Sequence, residues 1–188
     1  KDCVYRGQFI ATKAVTIDAE LGAGGSVTLE APDMADLVNS VQTTINGRQR
    51  MPILDIHLTD PTGTATVKNL SIDGRYQAHP PTYPAPNGHG NGSEDLSGIA
   101  IYNSNAVIDH VNIQRISTEL EPSGNYSGYS ENFGILAEGS NALTNAVTVE
   151  IKNSTIGTFQ KTGIIAWGPK LNVDIHDNTI TAVGILGL

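Results

Sequence analysis

Cysteine is nearly absent from this chain, since Cys3 is the only one among 188 residues. A single cysteine excludes an internal disulfide, and with it a small scaffold held together by such bridges. We expect Cys3 to be an inert thiol, with pairing to another chain as the alternative. The length instead suits one domain, residues 1–188, folded around a sizeable apolar core.

Basic residues are also few. The chain has 11 Lys and Arg against 19 Asp and Glu, which gives a net charge of -8. Such a surface repels phosphate groups, so neither nucleic acid nor an anionic membrane is expected as a partner. No apolar run reaches transmembrane length. The chain lacks an initiator Met and a signal peptide, which fits a mature or trimmed secreted protein.

Helical spacing is missing as well, because apolar residues recur at every second position and Gly, Asn, Thr and Val dominate. The sequence contains a repeat instead. The segment Val149 to Ile156 returns 24 residues later as Val173 to Ile180, with the same order of apolar and turn-type residues. Earlier copies run from Ala65 to Ile72 and from Ala106 to Ile113. A second phrase beginning Gly-Ile precedes three of the copies, at residues 98–101, 134–137 and 163–166.

A short fixed period of strand-type residues predicts a stacked coil. Alternation turns Val149 and Ile151 inward, while Asn153 and Asp177 stand at bends where the backbone is left-handed. With the Gly-Ile phrase as a further strand, each coil has three short parallel strands around an apolar interior. A two-sheet sandwich is the alternative, but it would not repeat the same phrase in register.

The N-terminal part fits this all-β scheme more loosely. Residues 14–18 and 27–29 resemble a first coil with a Gly-rich corner between them. The stretch from Met34 to Arg50 is irregular and predicts a short helix or a loop. Residues 53–57 then take the place of the Gly-Ile strand in the next coil.

Two segments rich in Pro, Gly and Tyr, residues 76–97 and 117–132, predict long loops. Both fall between the end of one coil and the Gly-Ile strand of the next, so both lie at one corner. Insertions confined to one corner of a solenoid usually wall a binding face. The apolar segment 180–188 reads like the start of another coil, which predicts either a piece of a longer solenoid or an end covered by self-association.

The phrases "Gly-Ile-x-x" and "Val-x-Ile-x-Asn-x-x-Ile" resemble the right-handed parallel β-helix repeat of the pectate lyase-like superfamily, over roughly residues 50–183. The resemblance implies a right-handed coil and an extracellular, carbohydrate-directed role. The acidic signature of the polygalacturonases and the Asp-Pro-His motif of the alginate epimerases are missing. The resemblance therefore assigns no catalytic residue.

Stacking the Gly-Ile strands predicts one outward column of side chains, which we call the outer column: His57, Tyr102, Glu138 and Trp167. Three steps of about 4.8 Å span a few sugar rings. Tyr102 and Trp167 offer aromatic faces for sugar stacking, and Asp55 lies on the same face. The alternative is that the two long loops cover this face and bury its aromatic residues.

Two chemistries are open for this face. Hydrolysis needs a pair of carboxylates, and Glu138 and Asp55 are the candidates at about 10 Å. Elimination from a uronic acid needs a base, for which His57 or Tyr102 is available, and a cation near the substrate carboxylate. The substrate-binding candidates are Tyr102, Trp167, Arg75 and Lys161, the last two near the corner.

A second polar column is predicted at the bends. Asp109, His110, His176 and Asp177 include metal-ligand types, but Lys152 and Asn153 interrupt them in the stack. Acidic side chains at the loops could take calcium, yet no ligand spacing is recognisable. We therefore predict a solvated polar corner, with no metal site and no cofactor.

The sequence thus predicts an extracellular β-helix that recognises or processes polysaccharide, as a lyase or a hydrolase. The alternative is a structural or adhesive solenoid without catalysis. Low charge, the lack of a reactive cluster and the apolar C-terminal segment favour that alternative. The substrate and the occurrence of catalysis stay open at this level.

Overall fold

A computed structural model describes residues 2–19, 25–33, 36–38, 40–45, 48–75, 96–117 and 132–182, with the backbone alone at 40–45 and 48–49. The long segments 76–95 and 118–131, the Gly-rich corner at 20–24 and residues 183–188 lie outside this description. Sequence predictions for those segments stay predictions.

Three parallel sheets run along the molecule, and the chain visits them in the same order in each turn. The first sheet consists of β2 (Phe9–Ala11), β6 (Arg48–Ile56), β9 (Leu96–Tyr102), β12 (Phe133–Glu138) and β15 (Thr162–Trp167). The second consists of β3 (Thr16–Asp18), β7 (Thr64–Lys68), β10 (Asn105–Asp109), β13 (Val147–Lys152) and β16 (Leu171–His176). The third consists of β1 (Cys3–Arg6), β4 (Val27–Glu30), β8 (Ser71–Asp73), β11 (Asn112–Gln114), β14 (Thr155–Gly157) and β17 (Thr179–Thr181).

This arrangement is a right-handed parallel β-helix with three strands per turn, as the repeat predicts. The register follows the repeat residue by residue, because Val149 pairs with Val173 and Ile156 with Ile180. In the part of the chain that the structure describes, no helix is long and apolar enough to cross a membrane.

The core is the interior of the coil. Ile72, Ile113 and Ile156 lie in one column of the third sheet, and all three are fully buried. Their counterparts in the other sheets, such as Ile101 and Ile108, are buried to the same degree. Each fully buried aliphatic side chain contributes about 1.5–3 kcal/mol, so stacking like on like stabilises every turn against the next.

Sharp bends join the second sheet to the third. Four residues occupy these bends, all with φ in the left-handed region. The angle is 60° at Asn69 and 50–54° at His110, Asn153 and Asp177. Asn and Asp tolerate this conformation because their short polar side chains bond locally, whereas most residues are strained there. The bends therefore lie where the sequence predicts them.

Steric constraints explain the glycine of the Gly-Ile phrase. A Cβ on Gly134 would lie 2.5 Å from the carbonyl oxygen of Gly163 and 2.5 Å from Cγ2 of Ile156. Neither atom can give way, because one is backbone and the other belongs to the packed core. Glycine at this position lets successive turns approach each other while an isoleucine from the third sheet fills the space.

The expectation of a short helix or loop between Met34 and Arg50 is wrong. Residues 40–45 form β5 (Ser40–Ile45), which pairs antiparallel with the start of β6. The sequence carries the signal, because Asn46-Gly47 separates two stretches of strand formers and is a strong hairpin pair. The consequence for function is that β6 extends back to Arg50, which is fully buried.

Candidate functional site

The outer column lies on the outward face of the first sheet. Tyr102 of β9 pairs with Glu138 of β12, which pairs in turn with Trp167 of β15. His57 directly follows Ile56, the partner of Ile101, and so lies beside Tyr102. The structure thus brings together four of the residues that the sequence singles out, at strand spacings of about 4.8 Å.

Asp55 and His57 form a pair at one end of this column. Asp55 Oδ1 lies 3.3 Å from His57 Nδ1. Asp55 is almost completely buried, whereas the His57 side chain keeps 21% of its surface exposed. Both His57 Nδ1 and Asp55 Oδ1 are buried, and their contact falls short of hydrogen-bond geometry. A carboxylate this close to Nδ1 favours the tautomer that carries its proton there, in which Nε2 is the nitrogen that can accept a proton.

Glu138 occupies a different environment in the middle of the column. Only 8% of it is exposed, and Oε2 is buried with no hydrogen-bond donor among the described residues. Burial raises the pKa of the Glu138 carboxyl, and the charge of the Arg50 guanidinium partly opposes that rise. A carboxyl held in this way keeps its proton to higher pH than an exposed glutamate.

Arg50 is a residue that the sequence reasoning missed, because the stretch before β6 was interpreted as irregular. Its guanidinium carbon lies 4.9 Å from the centre of the Phe133 ring, and the side chain is fully buried. This cation–π contact places a positive charge beside Phe133, on the outward face of the first sheet. Recognition of the Asn46-Gly47 turn would have placed Arg50 on β6.

Part of the outer face is covered. Ala100, Phe133 and Leu136 form a small apolar cluster separate from the coil interior, with Ile165 packed against it. The column next to the outer column is therefore closed to solvent over β9 and β12. Coverage does not extend along the whole face, because Tyr102 is half-buried and Trp167 is 52% exposed.

A cavity of about 230 Å³ opens beside His57. Its walls are His57, Leu58, Thr59, Tyr102 and Asn103. Small-molecule pockets typically measure about 300–1,000 Å³, so this cavity suits part of a chain-like ligand rather than a whole compact one. Its rim is fixed, because the Asn103 side chain donates to Ser140 Oγ at 2.9 Å and accepts from Ser140 N at 2.7 Å.

The two predicted cations have different surroundings. The Arg75 guanidinium donates to Asp33 Oδ1 at 2.9 Å and to the Ala31 carbonyl at 3.2 Å, and it lies 3.9 Å from Glu30. Glu30 is the last residue of β4 in the third sheet, and Ala31 and Asp33 follow it. Carboxylates at the end of β4 therefore hold Arg75. Lys161 is exposed immediately before β15, at the corner that leads into the first sheet.

The bends carry the polar corner that the sequence predicts. Lys68 pairs with Asp18 at 2.9 Å, and Asp109 Oδ1 lies 2.7 Å from His110 Nδ1. Asn153 also donates to Asp109, and this hydrogen bond is the main cause that lowers the pKa of the Asp109 carboxyl. Exposed pairs of this kind each contribute about 0–1 kcal/mol.

Comparison with known proteins adds no relative: no family model, no curated protein and no solved structure matches the chain.

Proposed function

We propose that this protein hydrolyses a neutral polysaccharide along the outer column of its β-helix. The observation that carries the proposal is the placement of a buried, proton-retaining Glu138 two strand spacings from the Asp55–His57 pair, with Tyr102 between them. An acid and a base about 10 Å apart on one face can act on opposite sides of a bound glycosidic bond.

Glu138 is the proposed general acid. Cleavage of a glycosidic bond needs a proton on the departing oxygen, and a carboxyl with a raised pKa keeps that proton to higher pH than an ordinary glutamate does. His57 is the proposed general base, which takes a proton from water through Nε2 while Asp55 holds Nδ1. Water then attacks the anomeric carbon, the bond to the departing oxygen breaks, and that oxygen leaves with the Glu138 proton.

The aromatic side chains support a sugar chain as the substrate. Tyr102 and Trp167 stand on either side of Glu138, about 10 Å apart by strand spacing. Each presents a ring on which the C–H face of a pyranose can stack. A sugar chain held on both rings would run across the Glu138 carboxyl between them.

A neutral substrate is favoured over a uronic acid by the charges. Elimination from a uronic acid needs a cation near the sugar carboxylate. The outer column itself contains no Lys or Arg, Arg50 is fully buried against Phe133, and Arg75 is held by Asp33, while Lys161 lies at the corner before β15. The net charge of -8 further opposes a polyanion. An extracellular location and a place among the pectate lyase-like β-helices belong to the same proposal, supported by the repeat phrases alone.

A second candidate is glycan binding without cleavage. The apolar cluster of Ala100, Phe133 and Leu136 covers part of the face and favours a shallow binding strip over an open catalytic groove. A solenoid that only binds needs the stacking residues and makes no use of a carboxyl that retains its proton.

A panel of neutral and uronic polysaccharides separates these functions. Hydrolysis releases reducing ends without the ultraviolet absorbance of unsaturated sugars, whereas elimination produces both. The proposal expects reducing ends from a neutral polysaccharide, with E138Q inactive and H110Q, a histidine at the distant polar corner, fully active. Unsaturated product would refute hydrolysis. Binding without any product from the whole panel would support the second candidate.

A further inference from the structure

A second cluster of side chains lies on the outward face of the second sheet. Glu150 of β13 pairs in register with Asp174 of β16, and Lys152 pairs with His176. Residues two apart on a strand point the same way, so Glu150, Asp174 and His176 share one face. One ligand atom from each of the three lies within 4.8 Å of the others.

The imidazole of His176 is already oriented between two carboxylates. Its Nδ1 lies 2.8 Å from Asp177 Oδ2, and its Nε2 lies 3.3 Å from Glu150 Oε1. A ligating histidine commonly has this arrangement, in which a carboxylate holds one ring nitrogen and the other faces the metal. Asp177 thus fixes the tautomer that leaves Nε2 available on the side of Glu150.

We propose that Glu150, Asp174 and His176 bind a divalent transition-metal ion of the zinc type, with Asp177 as the group that orients His176. Two carboxylates and one imidazole suit such an ion better than Ca²⁺ or Mg²⁺, which prefer oxygen donors alone. Donors bound at about 2.0–2.1 Å in a tetrahedron lie roughly 3.4 Å apart, close to the present distance between His176 Nε2 and Glu150 Oε1. Water would complete the coordination.

Lys152 is the competitor for this site. Its ammonium lies 3.0 Å from Glu150 Oε1, on the oxygen that also faces His176. A metal ion must displace that ammonium, so the lysine weakens binding in the natural protein. Lys152 interrupts the stack of bend residues, but the proposed donors Glu150 and Asp174 lie two strand positions before Lys152 and His176.

Metal at this site would join β13 to β16, which belong to successive turns of the coil. Binding to the folded chain alone stabilises it by mass action. The inference is independent of the proposed hydrolysis, because the second sheet carries the cluster and the first sheet carries the outer column. Its test has no need of catalytic activity.

Isothermal titration of the metal-free protein with Zn²⁺, Mn²⁺ and Ca²⁺ tests the proposal. We expect one Zn²⁺ per chain, at least a tenfold loss of affinity in H176Q and in D174N, and a gain in K152M, which keeps the stem and removes the charge. H110Q is the matched control, since His110 also faces a neighbouring aspartate at 2.7 Å. Its affinity should equal that of the natural protein.

Three outcomes would overturn the inference. They are Zn²⁺ binding that survives unchanged in both H176Q and D174N, equal loss in H110Q, or Ca²⁺ binding as tightly as Zn²⁺. Folding of each variant is checked by its melting temperature without metal. A Zn²⁺-dependent rise of that temperature is expected in the natural protein, K152M and H110Q, and a smaller rise or none in H176Q and D174N.

Discussion

Asp55 and His57 stand two residues apart at the end of β6, with a carboxylate oxygen 3.3 Å from the imidazole Nδ1. The carboxylate is buried and the ring is partly exposed, so the pair has a fixed inner member and an accessible outer member. The two residues therefore have different roles. His57 can exchange protons with a ligand, whereas Asp55 can only orient the His57 ring.

Different losses are expected when each member of this pair is changed. H57Q removes the base and should lower kcat by about 10²–10⁴-fold. D55N keeps the base but permits the wrong tautomer, so kcat should fall while KM stays nearly constant. Steady-state kinetics on the active polysaccharide measures both. Equal activity of H57Q and H110Q would show that His57 is not the base.

Burial of the Glu138 carboxyl, which the proposed reaction uses, is expected to lower the stability of the protein at higher pH. Because burial raises its pKa, the folded protein holds this proton more tightly than the unfolded chain, whose value is near 4.5. The unfolding free energy therefore falls as pH rises from that value through the raised pKa of the folded state. E138Q cannot ionise, so it should be more stable than the natural protein above this window and equal to it below.

Urea unfolding of both proteins across the acid and neutral range measures this difference. A difference in unfolding free energy between the two proteins that is the same at all pH values would contradict the titration assigned to Glu138. A gap of the opposite sign would mean that ionised Glu138 is stabilised by Arg50 more than burial disfavours it.

Successive turns approach each other closely at Gly134, so a side chain at this position should lower the stability of the fold considerably. A Cβ there meets backbone and core atoms at 2.5 Å, so G134A should destabilise the fold by about 1–3 kcal/mol. Gly157 is the matched control, since a Cβ at that position meets only the Thr181 carbonyl oxygen, at 3.8 Å. Thermal or urea unfolding compares the two. Similar stability of G134A and G157A would contradict the packing of the turns.

Trp167 provides an optical test of binding, because it is the only tryptophan in the chain. Its 52% exposure leaves the ring accessible. Stacking on a sugar removes water from the indole, so neutral oligosaccharides should shift its fluorescence to shorter wavelength in a saturable way. Y102A should weaken this response if both rings hold one chain. A spectrum that no oligosaccharide changes would remove Trp167 from the binding surface.

The sequence predicts the fold well because the repeat is a local pattern with one geometric consequence. Val149 and Val173 share a place in the repeat and are paired neighbours in the second sheet. The outer column follows from the same register. Its chemistry does not, since the pKa of Glu138 depends on its burial and on the charge of Arg50, and no periodic signal in the sequence gives either.

The cluster on the second sheet was missed for another reason. In the bend columns predicted from the sequence, His176 lies beside Asp177 and Asp109, with Lys152 as an interruption. Strand alternation places Asp174 on the same face as His176, and the register adds Glu150. These two rules together would have found the group, but only after the bend had been fixed at Asp177.

The most direct measurement is the release of reducing ends from a neutral polysaccharide by the natural protein, E138Q and H57Q, side by side. The account predicts product from the natural protein, almost none from either variant, and the same binding of oligosaccharide by all three. Full activity in E138Q would contradict the account, because it would show that the buried carboxyl of the outer column takes no part in the reaction.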